Sequence, residues 1–153
     1  MKINNIVVST GLARSGMKVR ECFRHCVAAN VPGIPFVDDQ DRIVGRFSVR
    51  HTLKESCIPD YVVAHAELLG DHVGCLAIPE EHARKVLDTP VDPFILDLDR
   101  VATIGPHSPV VKALAIMEKF NTSYVFVVEG ERYVGTVTVV AIAARMLALE
   151  QGV

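Results

Sequence analysis

Residues 19–50 resemble residues 110–140, and a chain that repeats itself folds as repeated units, each burying the apolar face its neighbour leaves open. Val19, Cys22, Phe23, Cys26 and Val27 recur at the i, i+3, i+4, i+7, i+8 spacing of one helix face. Val110, Ala113, Leu114 and Met117 hold the matching places 91 positions later. Asn30 and Asn121 follow the two helices, and asparagine tolerates the left-handed turn that ends a helix. An extended segment comes next in each copy, Ile34-Pro35-Phe36-Val37 and Val125-Phe126-Val127-Val128. A polar turn then leads to Arg42-Ile43-Val44-Gly45 and to Arg132-Tyr133-Val134-Gly135, now offset by 90. The one-residue change falls in the turn, where a length difference disturbs packing least. Both copies continue through a hydroxyl residue, Ser48 or Thr138, towards a further helix.

Each copy reads strand, helix, strand, strand, helix. The expected fold class is α+β, two βαββα repeats packed with pseudo-twofold symmetry. Residues 6–9 and 101–104 are the expected opening strands. Ser108 is the expected N-cap of the helix at 110, with Pro109 at its first position. The expected boundaries are 1–57 for the first repeat, 58–97 for a helical insert, and 98–153 for the second repeat. One copy alone leaves an apolar sheet face bare, and two copies can cover each other.

Gly33-Ile34-Pro35-Phe36-Val37-Asp38, then Arg42-Ile43-Val44-Gly45-Arg46-Phe47-Ser48, and in the second copy Tyr133-Val134-Gly135-Thr136-Val137-Thr138, carry a family pattern. The pattern resembles the CBS domain family, named after cystathionine β-synthase, and its doubling resembles a tandem pair or Bateman module. That resemblance implies a regulatory module binding an adenosine nucleotide (AMP, ADP or ATP) or a related anionic ligand in the clefts between the repeats. It implies a base lying against the Gly-hydrophobic-Pro strand, a Ser or Thr on phosphate, and an Asp three residues later on the ribose. Carried over, the ligand-binding candidates are Gly33, Ile34, Pro35, Ser48, Arg50, His51, Thr103, Tyr124, Val125 and Thr138.

Both ribose acids are missing, with His51 and Ala141 in their places. Alanine accepts no hydrogen bond and histidine offers at most one acceptor; a hydrogen bond to a charged group is worth about 1.5–3 kcal/mol. Arg46, Arg50 and His51 around Ser48 favour a phosphate-rich or otherwise anionic ligand instead. The alternative is a ligand-free structural module for dimerisation or scaffolding, its clefts filled by side chains such as Tyr124 or Phe126.

Composition narrows the classes further. Half the residues are hydrophobic, and 16 basic residues against 18 acidic ones leave a formal charge of −2. That balance gives no whole-chain attraction for a nucleic-acid polymer or an anionic membrane. The most apolar stretch, 134–149, contains Thr136, Thr138 and Arg145 and falls short of the ~20 residues that span a bilayer. A soluble, cytoplasmic protein without membrane insertion is expected. No phosphate-binding glycine loop, dinucleotide fingerprint or nucleophile elbow occurs, so no catalytic residue is named and the chain is expected not to be an enzyme. Its output is expected by contact, on a regulated enzyme or transporter carried by a separate chain. A homodimer is also expected, because Val139, Val140, Ile142, Ala143, Met146 and Leu147 place apolar side chains on more than one helix face.

The insert is expected to hold helices over 60–75 and 80–87. Its His65, His72 and His82, with Glu67, Asp71 and Cys75, lack the i, i+4 histidine pair of a helical zinc site, and no metal is expected. Cys22, Cys26, Cys57 and Cys75 form no C-x-x-C pair and read as reduced, packed thiols.

Overall fold

The computed structural model describes residues 1–71 and 77–152; His72 and Cys75 lie outside the described residues. The first repeat runs through α1 (Val19–Ala29), β1 (Gly33–Val37), β2 (Ile43–Ser48) and α2 (Val49–Cys57). In the insert come α3 (Asp60–Ala64) and α4 (Glu80–Asp88), then β3 (Leu96–Asp97). The second repeat comprises β4 (Thr103–Ile104), α5 (Val110–Phe120), β5 (Tyr124–Glu129), β6 (Arg132–Thr138) and α6 (Val139–Glu150). The α+β class and the doubled unit are as the repeat implies.

Local chemistry explains the elements. Asn30 and Asn121 end α1 and α5 at φ 53° and 50°, the left-handed cap that asparagine tolerates. Val19, Cys22 and Cys26 are buried, but Val27 is 80% exposed. Eight residues of helix carry Val27 roughly 80° round from Val19, past the edge of the buried stripe. Leu114 of α5 is likewise exposed beside buried Val110, Ala113 and Met117. Ser108 does not cap α5; Pro109 itself is the N-cap, with extended backbone and no side-chain bond. The expected helix over 60–75 gives way to the short α3 and a 3-10 turn at Ala66–Leu68. Tyr61, Val63 and Leu68 there are exposed, and an isolated helix without a packed face is marginal. By contrast α4 forms as expected, because Val86 and Leu87 join the first repeat's core against α1.

The hairpins carry the same irregularity. Gly33 pairs with Ser48 and Phe36 with Gly45, and the register slips between Phe36 and Val37. Tyr124 pairs with Thr138 and Val127 with Gly135, and the register slips between Val127 and Val128. The slip is common to both copies, so the change of offset falls beyond it, in the turn: five residues separate Val37 from Ile43, and four separate Val128 from Tyr133.

The outer strands correct the sequence reading. Residues 6–9 do not open the first repeat's sheet. Val8 pairs antiparallel with Thr136 of β6, its N–H donating to the Thr136 carbonyl at 2.9 Å and its carbonyl accepting from Thr136 N–H at 2.8 Å. The segment between the repeats does the converse: β3 pairs with β2, Leu96 opposite Arg46 and Asp97 opposite Gly45. The two repeats therefore exchange edges. Ile3 is buried in the second repeat's core and Val91 in the first's, so the exchange is anchored by an apolar side chain at each end. The true counterpart of β4, which runs parallel to β5, is Ala13, which runs parallel to Phe36. That contact stays a single bridge for a chemical reason. Phe126 N–H donates to the Ala102 carbonyl, whereas Pro35 at the matching place has no N–H. Thr10 supplies the missing donor, its hydroxyl bonding the Gly11 carbonyl at 2.9 Å. Among the described residues no helix is long and apolar enough to cross a membrane.

Candidate functional site

The candidates separate by face. Strand side chains alternate between two faces, and Ile34 and Val125 point into their own repeats' cores, fully buried. They offer a cleft only their backbone. Ser48 and Thr138 end β2 and β6 as N-caps of α2 and α6: Ser48 Oγ accepts from His51 N–H at 3.2 Å, and Thr138 Oγ1 from Ala141 N–H at 3.0 Å. Each hydroxyl thus has a structural task independent of any ligand, although its own hydrogen remains free to donate. Arg50 is exposed on α2, and Thr103 is exposed on β4. Gly33 and Pro35 are buried in β1.

A small cavity marks where the two repeats meet. Its volume is about 10 Å³, lined by Arg46 of the first repeat and by Arg100, Ala102, Phe120, Thr122, Tyr124 and Phe126. Such a space holds no more than a water molecule, far below the roughly 300–1,000 Å³ of small-molecule pockets. Arg46 crosses it. Its Nε donates to the Arg100 carbonyl at 2.9 Å, and its Nη1 donates to the Tyr124 hydroxyl. The guanidinium also lies 5.6 Å from the centre of the Tyr124 ring. Tyr124 is 5% exposed and rests on the first repeat: a Cβ on Gly33 would lie 2.3 Å from its hydroxyl oxygen. Only glycine leaves room there.

The electrostatics are lopsided. Among the described residues, no ion pair joins Arg46 or Arg100 to a carboxylate. Burial raises the Tyr124 phenol, with Arg46 pulling the other way, so the hydroxyl keeps its proton at neutral pH. Burial holds the His51 imidazole below its ordinary range; Glu55 opposes this, while Arg100, Lys54 and Arg46 reinforce it. His51 therefore adds a hydrogen-bonding group to a cationic surrounding without adding charge at neutral pH.

The opposite cleft differs in chemistry. The hairpin registers place Thr136 where Arg46 stands, and Thr136 is fully buried. Tyr133 OH lies 2.7 Å from Thr136 Oγ1 and 2.6 Å from Thr10 Oγ1, tying the second repeat to the first repeat's entering chain. The His25 imidazole packs on Gly11, where a Cβ would meet Nδ1 at 2.2 Å. Hydroxyls and the His25 ring stand on this side, and Thr136, not a cation, holds the place of Arg46.

The structure thus joins Arg46, beside Ser48, to Tyr124 across the repeats. Of the Gly33-Ile34-Pro35 strand, Gly33 meets the Tyr124 hydroxyl, Pro35 stands opposite Arg46, and Ile34 faces the core. Arg100 was missed, because no motif marks it; it arrives only through the exchanged segment that carries β3. Among the described residues no three His, Cys, Asp or Glu side chains converge as metal ligands. Burial pushes the Cys22 and Cys26 thiols up to about 12, which leaves both protonated and packed.

Comparison with known proteins agrees with this architecture. Residues 96–148 match the CBS domain family. A search among curated proteins by sequence finds no match. Protein MJ1004 from Methanocaldococcus jannaschii is similar in structure at TM-score 0.64 and 16% identity, over 97% of this chain and 60% of its own. This chain therefore spans less than two thirds of that protein. A CBS domain-containing protein of unknown function from Kribbella flavida matches at TM-score 0.62 and 16% identity, over 97% of this chain and 99% of its own. The CBS domain pair of protein MJ0100, in complex with 5′-methylthioadenosine and S-adenosyl-L-methionine, matches at TM-score 0.62 and 20% identity, over 97% of each chain. At these identities the likeness speaks for the fold. Residues 96–148 are thus a CBS domain, and the doubled chain has the fold of a CBS domain pair.

Proposed function

We propose that this pair is a regulatory ligand-sensing module, not an enzyme, that takes an adenosine nucleotide or related anionic adenosine ligand in the cleft between the repeats. The observation that carries the reading is Arg46: a half-buried guanidinium at the inter-repeat cavity, beside Arg100, with no carboxylate partner among the described residues. Guanidinium groups recognise phosphate through paired N–H donors. The adenosine compounds held by the MJ0100 pair supply the ligand class. Ligand would act by binding one arrangement of the repeats better than another, and the output would reach an enzyme or transporter on a separate chain in the cytoplasm. Thermal denaturation with AMP, ADP, ATP, cyclic AMP and S-adenosylmethionine tests the reading. A ligand at 100 times its Kd adds about 2.7 kcal/mol, which raises Tm by roughly 5–10 °C in a chain this size. Arg46→Gln should abolish most of that rise. A flat response to all five compounds overturns the reading.

A second reading, a ligand-free scaffold, is favoured by one observation: Tyr124 already fills the space over Gly33. An ordered nucleotide in the cleft would refute it.

Either reading is compatible with the proposed homodimer. Ile142 faces the core, while Val139, Val140, Met146, Leu147 and Leu149 of α6 are 39–62% exposed. Exposed Ala143 and Ala144 lie among them and permit close helix approach. A twofold contact needs such a self-complementary patch. Light scattering at micromolar concentration should give the mass of two chains, and Ala144→Glu should shift it towards one without loss of helical circular dichroism. A wild-type mass of one chain defeats the proposal.

A further inference from the structure

We infer that Tyr124 is a built-in plug: it keeps the cleft shut by occupying Arg46, and an anionic ligand opens the cleft by taking Arg46 from the phenol, one ligand per chain. This deepens the adenosine-ligand reading and rests on it.

The plug is a consequence of broken symmetry between the repeats. Tyr124 pairs with Thr138 in one hairpin, and Gly33 pairs with Ser48 in the other. Equivalent positions thus hold one of the largest residues and the smallest, and the phenol of one fills the space left by the other. Arg46 holds it there. A guanidinium carries five N–H donors, and the two contacts described, to the Arg100 carbonyl and the Tyr124 hydroxyl, leave three. Both acceptors are neutral. A phosphate or pyrophosphate accepts two parallel bonds from the same group and gains charge attraction as well, so it displaces a phenol on energetic grounds. Phe120, Thr122 and Phe126 then remain as walls of the vacated space.

The opposite cleft has no such latch. Its position equivalent to Arg46 is Thr136, already bound to Tyr133, and Tyr133 is bound to Thr10. An anion gains no charge partner by breaking those hydroxyl bonds. Hence one ligand is bound per chain, on the Arg46 side.

A closed ground state weakens apparent affinity by the fraction of molecules that are open. Calorimetric titration of the full chain with ATP, AMP and inorganic pyrophosphate reads this directly. If the open fraction is about one tenth or less, Tyr124→Ala should bind ATP at least roughly tenfold more tightly than wild type, with one site per chain. Tyr124→Phe keeps the ring and its packing but loses the latch, and should gain roughly threefold; it also serves if the alanine variant folds poorly. Adding Arg46→Gln to either variant should remove the gain. If wild type, Tyr124→Phe and Tyr124→Ala bind ATP equally, the plug is overturned and the adenosine reading stands. If no protein binds ATP or AMP but pyrophosphate binds Tyr124→Ala through Arg46, the plug stands and the adenosine reading falls. Two equal sites overturn the single-cleft assignment. No binding of any probe to any folded variant defeats both.

Discussion

Gly135→Ala is expected to lower the unfolding free energy by about 3 kcal/mol, the upper part of the range for overpacking. The new Cβ would stand 2.3 Å from Val7 Cγ1 and 2.8 Å from the Val8 carbonyl oxygen. Neither neighbour gives way easily. Valine is stiff about χ1, and the Val8 carbonyl is fixed by the N–H of Thr136 at 2.8 Å. Gly45 stands in the same relation to the other exchanged segment, its added Cβ 2.5 Å from the Leu96 carbonyl oxygen and 2.9 Å from Ile95 Cγ2. Gly45→Ala should therefore carry a similar penalty. It should also weaken ligand binding, because the displaced segment leads to the Arg100 carbonyl that orients Arg46. Urea denaturation measures both losses, and hydrogen exchange at Val8 should accelerate in Gly135→Ala. A stability change below about 0.5 kcal/mol, the scatter of neutral surface substitutions, would show that the edges are not exchanged as described.

Phe47→Ala is expected to destabilise the chain by about 3–5 kcal/mol, the usual cost of truncating a buried aromatic. Phe47 is fully buried, and its ring packs on Phe23 at 5.8 Å between centroids. It lies between Arg46, which faces the cleft, and Ser48, which caps α2. Its packing thus holds the strand from which both act. Leu53→Ala on the exposed side of α2 serves as the control, with a change within about 0.5 kcal/mol. Equal midpoints in urea for the two variants would disprove the core assignment. If Phe47→Ala stays folded at low temperature, its affinity for a cleft ligand should also fall, because Arg46 then loses its fixed origin.

The sequence by itself determined what depends on neighbours along the chain. Helices α1 and α5 follow from apolar spacing, their ends from Asn30 and Asn121, and the two hairpins from β-branched runs around polar turns. Even the missing strand bond beside Ala13 is written locally, in the absence of an N–H on Pro35. The partner of residues 6–9 was not determined in this way. An apolar run such as Ile6-Val7-Val8 is fit to be an edge strand, but either sheet offers it the same backbone groups. Tertiary packing chose, through Ile3 and Val91 in opposite cores and the bare glycines over which the edges cross. The cleft was decided in the same way. Motif matching identified Ser48 and Thr138 by type but not as helix caps, and it did not reach Arg100. That Tyr124 fills the space above Gly33 depends on two residues far apart in sequence meeting across the pseudo-twofold. Shape complementarity of that kind exists only once the repeats have packed.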